Sequence, residues 1–337
     1  MKMRLLRLFL TFSFLAVSLN ACVDSSSGVI ISALNTADHS HGLKLEPYTD
    51  VTLRPGRLTF DSEIKRRGSS SIRLHIFPGD CGTPWPPMKG GWSDCRNGNE
   101  RIGINEERKR TGKWFYTASL FLDSETFRLN STTQSHVNLL QWLDQNTENG
   151  PPFNIKYFWQ KSTAGYLGGI AQPNNALIVD INSRRWELPD PNGDLLMWSP
   201  YRVLGAGSEV LGRWLDIATY ANWTSSTSGF FIMSINDKIV FDYRGPTLDP
   251  GSSGVVYDAQ IYRYGAEKIG KAVTGTTEMV MNVDSMGVSR TRDDLANAFP
   301  HFARSLDLLT AQEKIRGIME FNPELQRYDG CRGITLC

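Results

Sequence analysis

The chain has 337 residues, 40% hydrophobic and 21% charged, enough to bury a core in one large all-β domain or two smaller ones. Its 36 Lys and Arg against 35 Asp and Glu leave a net charge of +1, so no global field draws it to nucleic acid or an anionic membrane. No nucleic-acid partner is expected, and any grip on a polyanion must come from a local basic patch.

In chain order, the first element is a targeting segment. Lys2, Arg4 and Arg7 precede a short apolar run from Leu8 to Leu19, too short to span a bilayer comfortably. The run ends in Leu19-Asn20-Ala21-Cys22, which resembles a bacterial lipobox, whose Cys becomes the lipidated first residue of the mature chain. Residues 1–22 are thus read as a lipoprotein-type signal peptide; an ordinary secretory signal is the alternative. The protein is expected to be exported, as a bacterial envelope lipoprotein or else periplasmic or secreted, and to meet a membrane only through its lipid anchor. Ser25-Ser26-Ser27-Gly28 opens a linker assigned to residues 23–40.

From residue 41 to 292 the pattern is strand after strand. Ser70–Ile76, Trp114–Leu122, His136–Leu143, Phe153–Trp159 and Ala176–Ile181 carry β-branched and aromatic residues between turn-forming clusters. Residues 78–100 form a Pro-, Gly- and Trp-rich loop, long enough to be functional or pinned. Trp214–Trp223, the turn Ser225-Ser226-Thr227-Ser228-Gly229, Phe230–Ile235 and the tight turn at Asn236-Asp237 into Ile239–Phe241 read as consecutive hairpins. Val255–Tyr264 and Met279–Val283 complete the set. Strands at this spacing with no helices between them imply two packed antiparallel sheets. Helical periodicity occurs only over 291–321, with a capping-box pattern at Thr310 to Glu313, so residues 293–337 are read as a helical, Cys-containing tail.

Apart from Cys22, the chain has Cys81, Cys95, Cys331 and Cys337. An even count in an exported chain suggests two disulfides with three possible connectivities, of which the local pairs Cys81–Cys95 and Cys331–Cys337 are preferred. No Cys-x-x-Cys or His cluster accompanies them, so neither a metal site nor a cofactor is expected, with calcium dependence left open.

Several segments between about residue 57 and 292 resemble, in order and spacing, the jelly-roll polysaccharide lyases of the glucuronan lyase, heparin lyase I and alginate lyase kind. The block from Gly212-Arg213-Trp214 through Trp223, Asn236-Asp237-Lys238 and Gly245-Pro246-Thr247 is one such segment. Arg67-Gly68 to Arg73, Glu100-Arg101 to Arg110 before Gly112-Lys113-Trp114, Leu139-Leu140-Gln141-Trp142 and Gln260-Ile261-Tyr262-Arg263 are the others.

The resemblance implies a concanavalin-like β-jelly roll and β-elimination on a uronate-containing polysaccharide by a monomer. That reaction needs donors on the substrate carboxylate, a base at C5 and an acid at the departing O4. Gln141 takes the place of the carboxylate neutraliser, Tyr262 that of the catalytic hydroxyl, and Arg108 and Arg101 are the charged partners. His136, Tyr257 and Trp142 are further candidates for contacts with the substrate. Three positions depart from the family pattern: Leu143 stands for its His, Asp258 for its Lys and Gln260 for its Gly. In a regular strand His136 faces away from Gln141, and only a bulge brings the two together. The alternative function is a non-catalytic carbohydrate-binding protein using Trp85, Trp92, Trp142 and Trp159 as stacking surfaces; a structural envelope or adhesion protein is the third.

Overall fold

The computed structural model describes residues 34–36, 39–47, 54–80, 94, 99–106, 108–130, 136–144, 151–159, 175–181, 187–189, 195–197, 201–263, 277–315, 319–322 and 327–328. Two sheets account for most of these residues. The seven-stranded one is antiparallel throughout and runs in the order Tyr201–Ala206, Ala176–Ile181, Phe153–Phe158, His136–Asp144, Val255–Arg263, Glu100–Glu106, Leu45–Pro47. The ten-stranded one is centred on Gly112–Leu122, between Trp214–Trp223 and Met279–Ser289.

Alternation decides which side of each strand meets the core. In the seven-stranded sheet Val255, Tyr257, Ala259 and Ile261 point inward, as do Phe153, Ile155 and Tyr157 and then Leu177, Val179 and Ile181. From the opposite sheet they meet Tyr116, Leu120, Trp223, Phe231 and Met281. Aromatic stacking closes the seam: Phe153 lies parallel to Phe231 at 4.0 Å, and Trp142 meets Phe231 edge-on at 4.8 Å. The Asn236-Asp237 turn has φ of 47° and 61°, the doubly left-handed geometry that matches the twist of a tight hairpin.

The outer side of the ten-stranded sheet is covered. Helices Arg292–Ala298 and Ala303–Gln312, joined by a 3₁₀ turn at Pro300–Phe302, lay Leu295, Phe299, Phe302, Leu306 and Leu309 on Phe115, Tyr220, Phe230 and Ile232. Thr291 caps the first helix by accepting from the Asp294 N–H at 3.3 Å. The expected capping box at Thr310 is not an N-terminus: Thr310 lies inside the second helix, and its hydroxyl donates to the Leu306 carbonyl. Met319–Asn322, placed in the helical stretch by its periodicity, is instead a strand beside Lys238–Arg244.

Some residues of the expected 23–40 linker pack on the fold. Leu34 is fully buried in the core, Asn35 bonds both ways with the backbone of Leu45, and Ser40 pairs with Met286. Asp284 holds another early segment, accepting the backbone N–H groups of Arg66 and Arg67 at 2.9 and 3.0 Å. Among the described residues no helix is long and apolar enough to cross a membrane. Cys22, Cys81, Cys95, Cys331 and Cys337, with Trp85 and Trp92, lie outside the described residues.

Candidate functional site

With helices on one sheet, the side of the seven-stranded sheet turned away from the core is the place to look for chemistry. One of its inner strands, Val255–Arg263, sends Asp258, Gln260 and Tyr262 there, the alternate set to the apolar residues that fill the core. Two cross-strand rungs define the face. One pairs Asn105, Asp258, Gln141, Asn154 and Asp180 in sequence across five strands; the other pairs Arg101, Tyr262, Asn138 and Lys156. Directly opposed side chains on one face stand about 5 Å apart, so each rung is a continuous polar row.

The His136–Asp144 strand reaches this arrangement through an irregularity. Val137, Leu139, Leu140 and Trp142 all belong to the core, so two consecutive leucines point the same way. The register shifts at this point against both neighbours, between Asn138 and Leu140 on one side and between Ala259 and Tyr262 on the other. This is a β-bulge, and it reverses the alternation for the first half of the strand. His136 and Asn138 therefore share a face with Gln141, which a regular strand forbids.

Around Tyr262 the contacts are specific. Its hydroxyl accepts from Asn99 Nδ2 at 2.8 Å, and the Arg101 guanidinium sits over its ring, 3.9 Å from the centroid. Arg101 is oriented from the other side by Asp94, with Nε 3.0 Å from Oδ2. Gln141 Nε2 lies 2.9 Å from Asp258 Oδ2. Burial pushes the Asp258 carboxyl up to about 7, against the opposing pull of the Gln141 hydrogen bond and the Arg101 charge. His136 stacks on Phe158 at 4.9 Å. Burial, reinforced by the positive charge of Lys156, takes its imidazole down to about 3, so it is neutral at ordinary pH. Lys156 is itself bonded to Asp180 in a buried ion pair.

Two residues of the face carry no role in the sequence reading. Asn154 and Gln260 are 1% and 0% exposed, and both polar atoms of each amide lack a hydrogen-bond partner among the described residues. Buried unpaired amides cost about 1–3 kcal/mol each, which singles these two out within the polar face. The signal in the sequence for Gln260 is the alternation of Asp258, Gln260 and Tyr262 with the apolar Ala259 and Ile261. Gly103 opposes Gln260 in register and makes the side chain possible: a Cβ there would lie 2.6 Å from Gln260 Cβ.

Not all the expected residues come to this face. Tyr257 and Trp142 are on the core side, stacked on each other at 5.2 Å, and the Tyr257 hydroxyl donates to the Thr117 carbonyl at 3.2 Å. Neither is placed to touch a substrate. Burial holds the Tyr257 hydroxyl well above its ordinary pKa, so it is not a base. Arg108 is also elsewhere. It lies past the end of its strand, donating to Glu106 at 2.8 Å and to the Gly42 carbonyl at 2.6 Å, where it ties down an edge. Trp159 is 3% exposed and donates to the Phe127 carbonyl, so Trp142 and Trp159 are both lost as stacking surfaces for a carbohydrate-binding role. Among the described residues no group of three or more His, Cys, Asp or Glu side chains is arranged to hold a metal ion.

Similarity to known proteins agrees with this architecture. The solved endo-β-1,4-glucuronan lyase from the fungus Trichoderma reesei superposes with a TM-score of 0.51 at 14% identity, covering 77% of this chain and 96% of that one. This likeness identifies the two-sheet sandwich as the jelly roll of that lyase. The alginate lyase Aly36B gives a TM-score of 0.38 at 10% identity, over 65% of this chain and 80% of that one. The cellulose induced protein Cip1 gives 0.35 at 12% identity, over 69% and 85%. No curated protein matches the sequence significantly. The sequence itself matches the polysaccharide lyase family over residues 31–286, a span that contains both rungs of the site. By that match the chain belongs to the polysaccharide lyase family.

Proposed function

We propose that the protein cleaves a uronic-acid-containing polysaccharide by β-elimination on the outer face of the seven-stranded sheet. The observation that carries this reading is the bulge, which leaves Gln141, Tyr262, Arg101 and His136 on one face of three adjacent strands. The C5 proton of a uronate becomes acidic when its carboxylate is neutralised, and Gln141 with Arg101 supplies donors for that. Tyr262, as the phenolate, removes the C5 proton, the C4–O4 bond breaks as the C4–C5 double bond forms, and the resulting phenol returns that proton to the leaving oxygen. His136, held neutral, is the second group on this face able to accept a proton.

Incubation with glucuronan, alginate and heparin-type glycans is the test. Elimination leaves a double bond conjugated with the carboxylate, so near-ultraviolet absorbance rises; hydrolysis leaves none. Gln141→Ala is expected to lower kcat by about 10²–10³-fold, the usual cost of one charge-stabilising donor. Binding without any absorbance change across the panel would replace the lyase by a carbohydrate-binding protein.

The same reading places the mature protein at the cell envelope, tethered through Cys22, on the support of its charged leader and Leu19-Asn20-Ala21-Cys22. An acylated Cys22 carries the protein into the detergent phase with membranes, and Cys22→Ser abolishes that partition. A mature N-terminus cut elsewhere, with Cys22 a free thiol, defeats the assignment.

A further inference from the structure

The carboxylate of a uronate has two oxygens, and negative charge grows on them as C5 loses its proton. Both oxygens need donors, and the donors named so far are already engaged. One hydrogen of Gln141 Nε2 goes to Asp258 Oδ2 at 2.9 Å, which leaves one. Arg101 turns Nε to Asp94 Oδ2 at 3.0 Å and Nη2 to Oδ1 at 3.2 Å, with its guanidinium over the Tyr262 ring. Lys156, the other cation of the rungs, is bonded to Asp180. Asn154 is placed differently. Phe153, Ile155 and Tyr157 of its strand point into the core, so its amide lies on the outer face. It stands directly opposite Gln141 in register, with Asp180 as its neighbour on the other side. It is 1% exposed, and neither Nδ2 nor Oδ1 has a hydrogen-bond partner among the described residues. Native structures leave few such groups, and a part in catalysis is one recognised reason for keeping one. Gln260 shares the property but falls in the register gap between Ala259 and Tyr262, where no residue of the Gln141 strand is paired with it. The uncommitted amide that adjoins Gln141 is Asn154.

We propose that Asn154 is a catalytic residue of the elimination: its Nδ2 donates to one oxygen of the uronate carboxylate, while Gln141 Nε2 gives its second hydrogen to the other. The inference rests on the lyase reading of this face and adds a residue to it. Opposed side chains on one face stand about 5 Å apart, so a carboxylate lying between the two amides takes one oxygen to each. Such donors stabilise the developing charge without bringing a cation of their own. That suits a face on which Arg101 and Lys156 are both held by aspartates.

The test is steady-state elimination by Asn154→Leu on the polymer that the wild type cleaves, together with its thermal midpoint. Leu has nearly the shape of Asn and no donor. A donor acting on charge that develops in the transition state is lost from kcat, so kcat is expected to fall about 10²-fold while KM moves less than about threefold. The amide has no hydrogen-bond partner among the described residues, so an apolar group of the same shape leaves the midpoint level or raises it. Asn154→Ala, too small to overpack the site, repeats both measurements. A midpoint lowered in both variants, or failure of both to fold, assigns the amide to the structure and overturns the inference. A loss carried by KM alone overturns it too, since that marks a contact made equally in ground state and transition state. Failure of this inference and failure of the lyase reading look different. Elimination that continues undiminished in Asn154→Leu overturns this inference and leaves the lyase reading standing. A wild type that eliminates on no polymer overturns both.

Discussion

Replacing Tyr262 by Phe lowers kcat/KM on a uronate polymer by about 10²-fold or more while the protein stays folded. The ring is retained, so its contact with the Arg101 guanidinium, 3.9 Å away, survives. What is lost is the hydroxyl, which accepts from Asn99 at 2.8 Å. Leaving that buried donor short of an acceptor costs on the order of 1–2 kcal/mol, visible as a lowered midpoint in denaturant. Kinetics and stability thus separate: a structural tyrosine shows the second effect alone, a proton-transferring one shows both. Full activity in Tyr262→Phe would move the base to His136, the other group on the face able to accept a proton.

Truncating Trp142 to Ala costs about 3–5 kcal/mol of folding stability, a large share of the 5–15 kcal/mol typical of a domain. Trp142 is 0% exposed and wedged among Phe231 at 4.8 Å, Tyr257 at 5.2 Å and Tyr116 at 6.0 Å. Its indole N–H has no hydrogen-bond partner among the described residues, so the cost is reckoned as packing. Urea unfolding is the measurement. A Trp142→Ala protein as stable as wild type but weakened in polysaccharide binding would put this indole on the surface and restore the stacking role.

The contrast between these two aromatic residues explains what sequence can and cannot say here. Trp142 follows Gln141 directly, and Tyr257 stands five positions before Tyr262, so in regular strands each faces away from its neighbour. Their place in the core was legible from parity, which the attraction of aromatics as sugar platforms obscured. Strong strands such as Ala176–Ile181, Trp214–Trp223 and Phe230–Ile235 were legible to the residue, because alternation and turn chemistry agree there. Short edge strands such as Leu45–Pro47 and Leu58–Asp61 were not, being too brief to show a period. The location of His136 was hidden for a different reason. A bulge is a backbone event with no residue type of its own, and the one trace of it is the pair Leu139-Leu140, two apolar neighbours where alternation calls for one. Arg108 was misplaced because a charge run reveals its sign and not its partner, here Glu106.

The bulge also gives the strand a property that a reader of text will recognise: it is written in two frames. Residues before the paired leucines and residues after them obey the same rule of alternate letters, offset by one. Removing a single residue at Leu139 or Leu140 would merge the frames into regular alternation and leave His136, Asn138 and Gln141 on the same outer face. Such a deletion leaves the letters of that face as they are. For this chain, a one-residue gap at the paired leucines keeps the working surface, and one between them and His136 turns His136 inward.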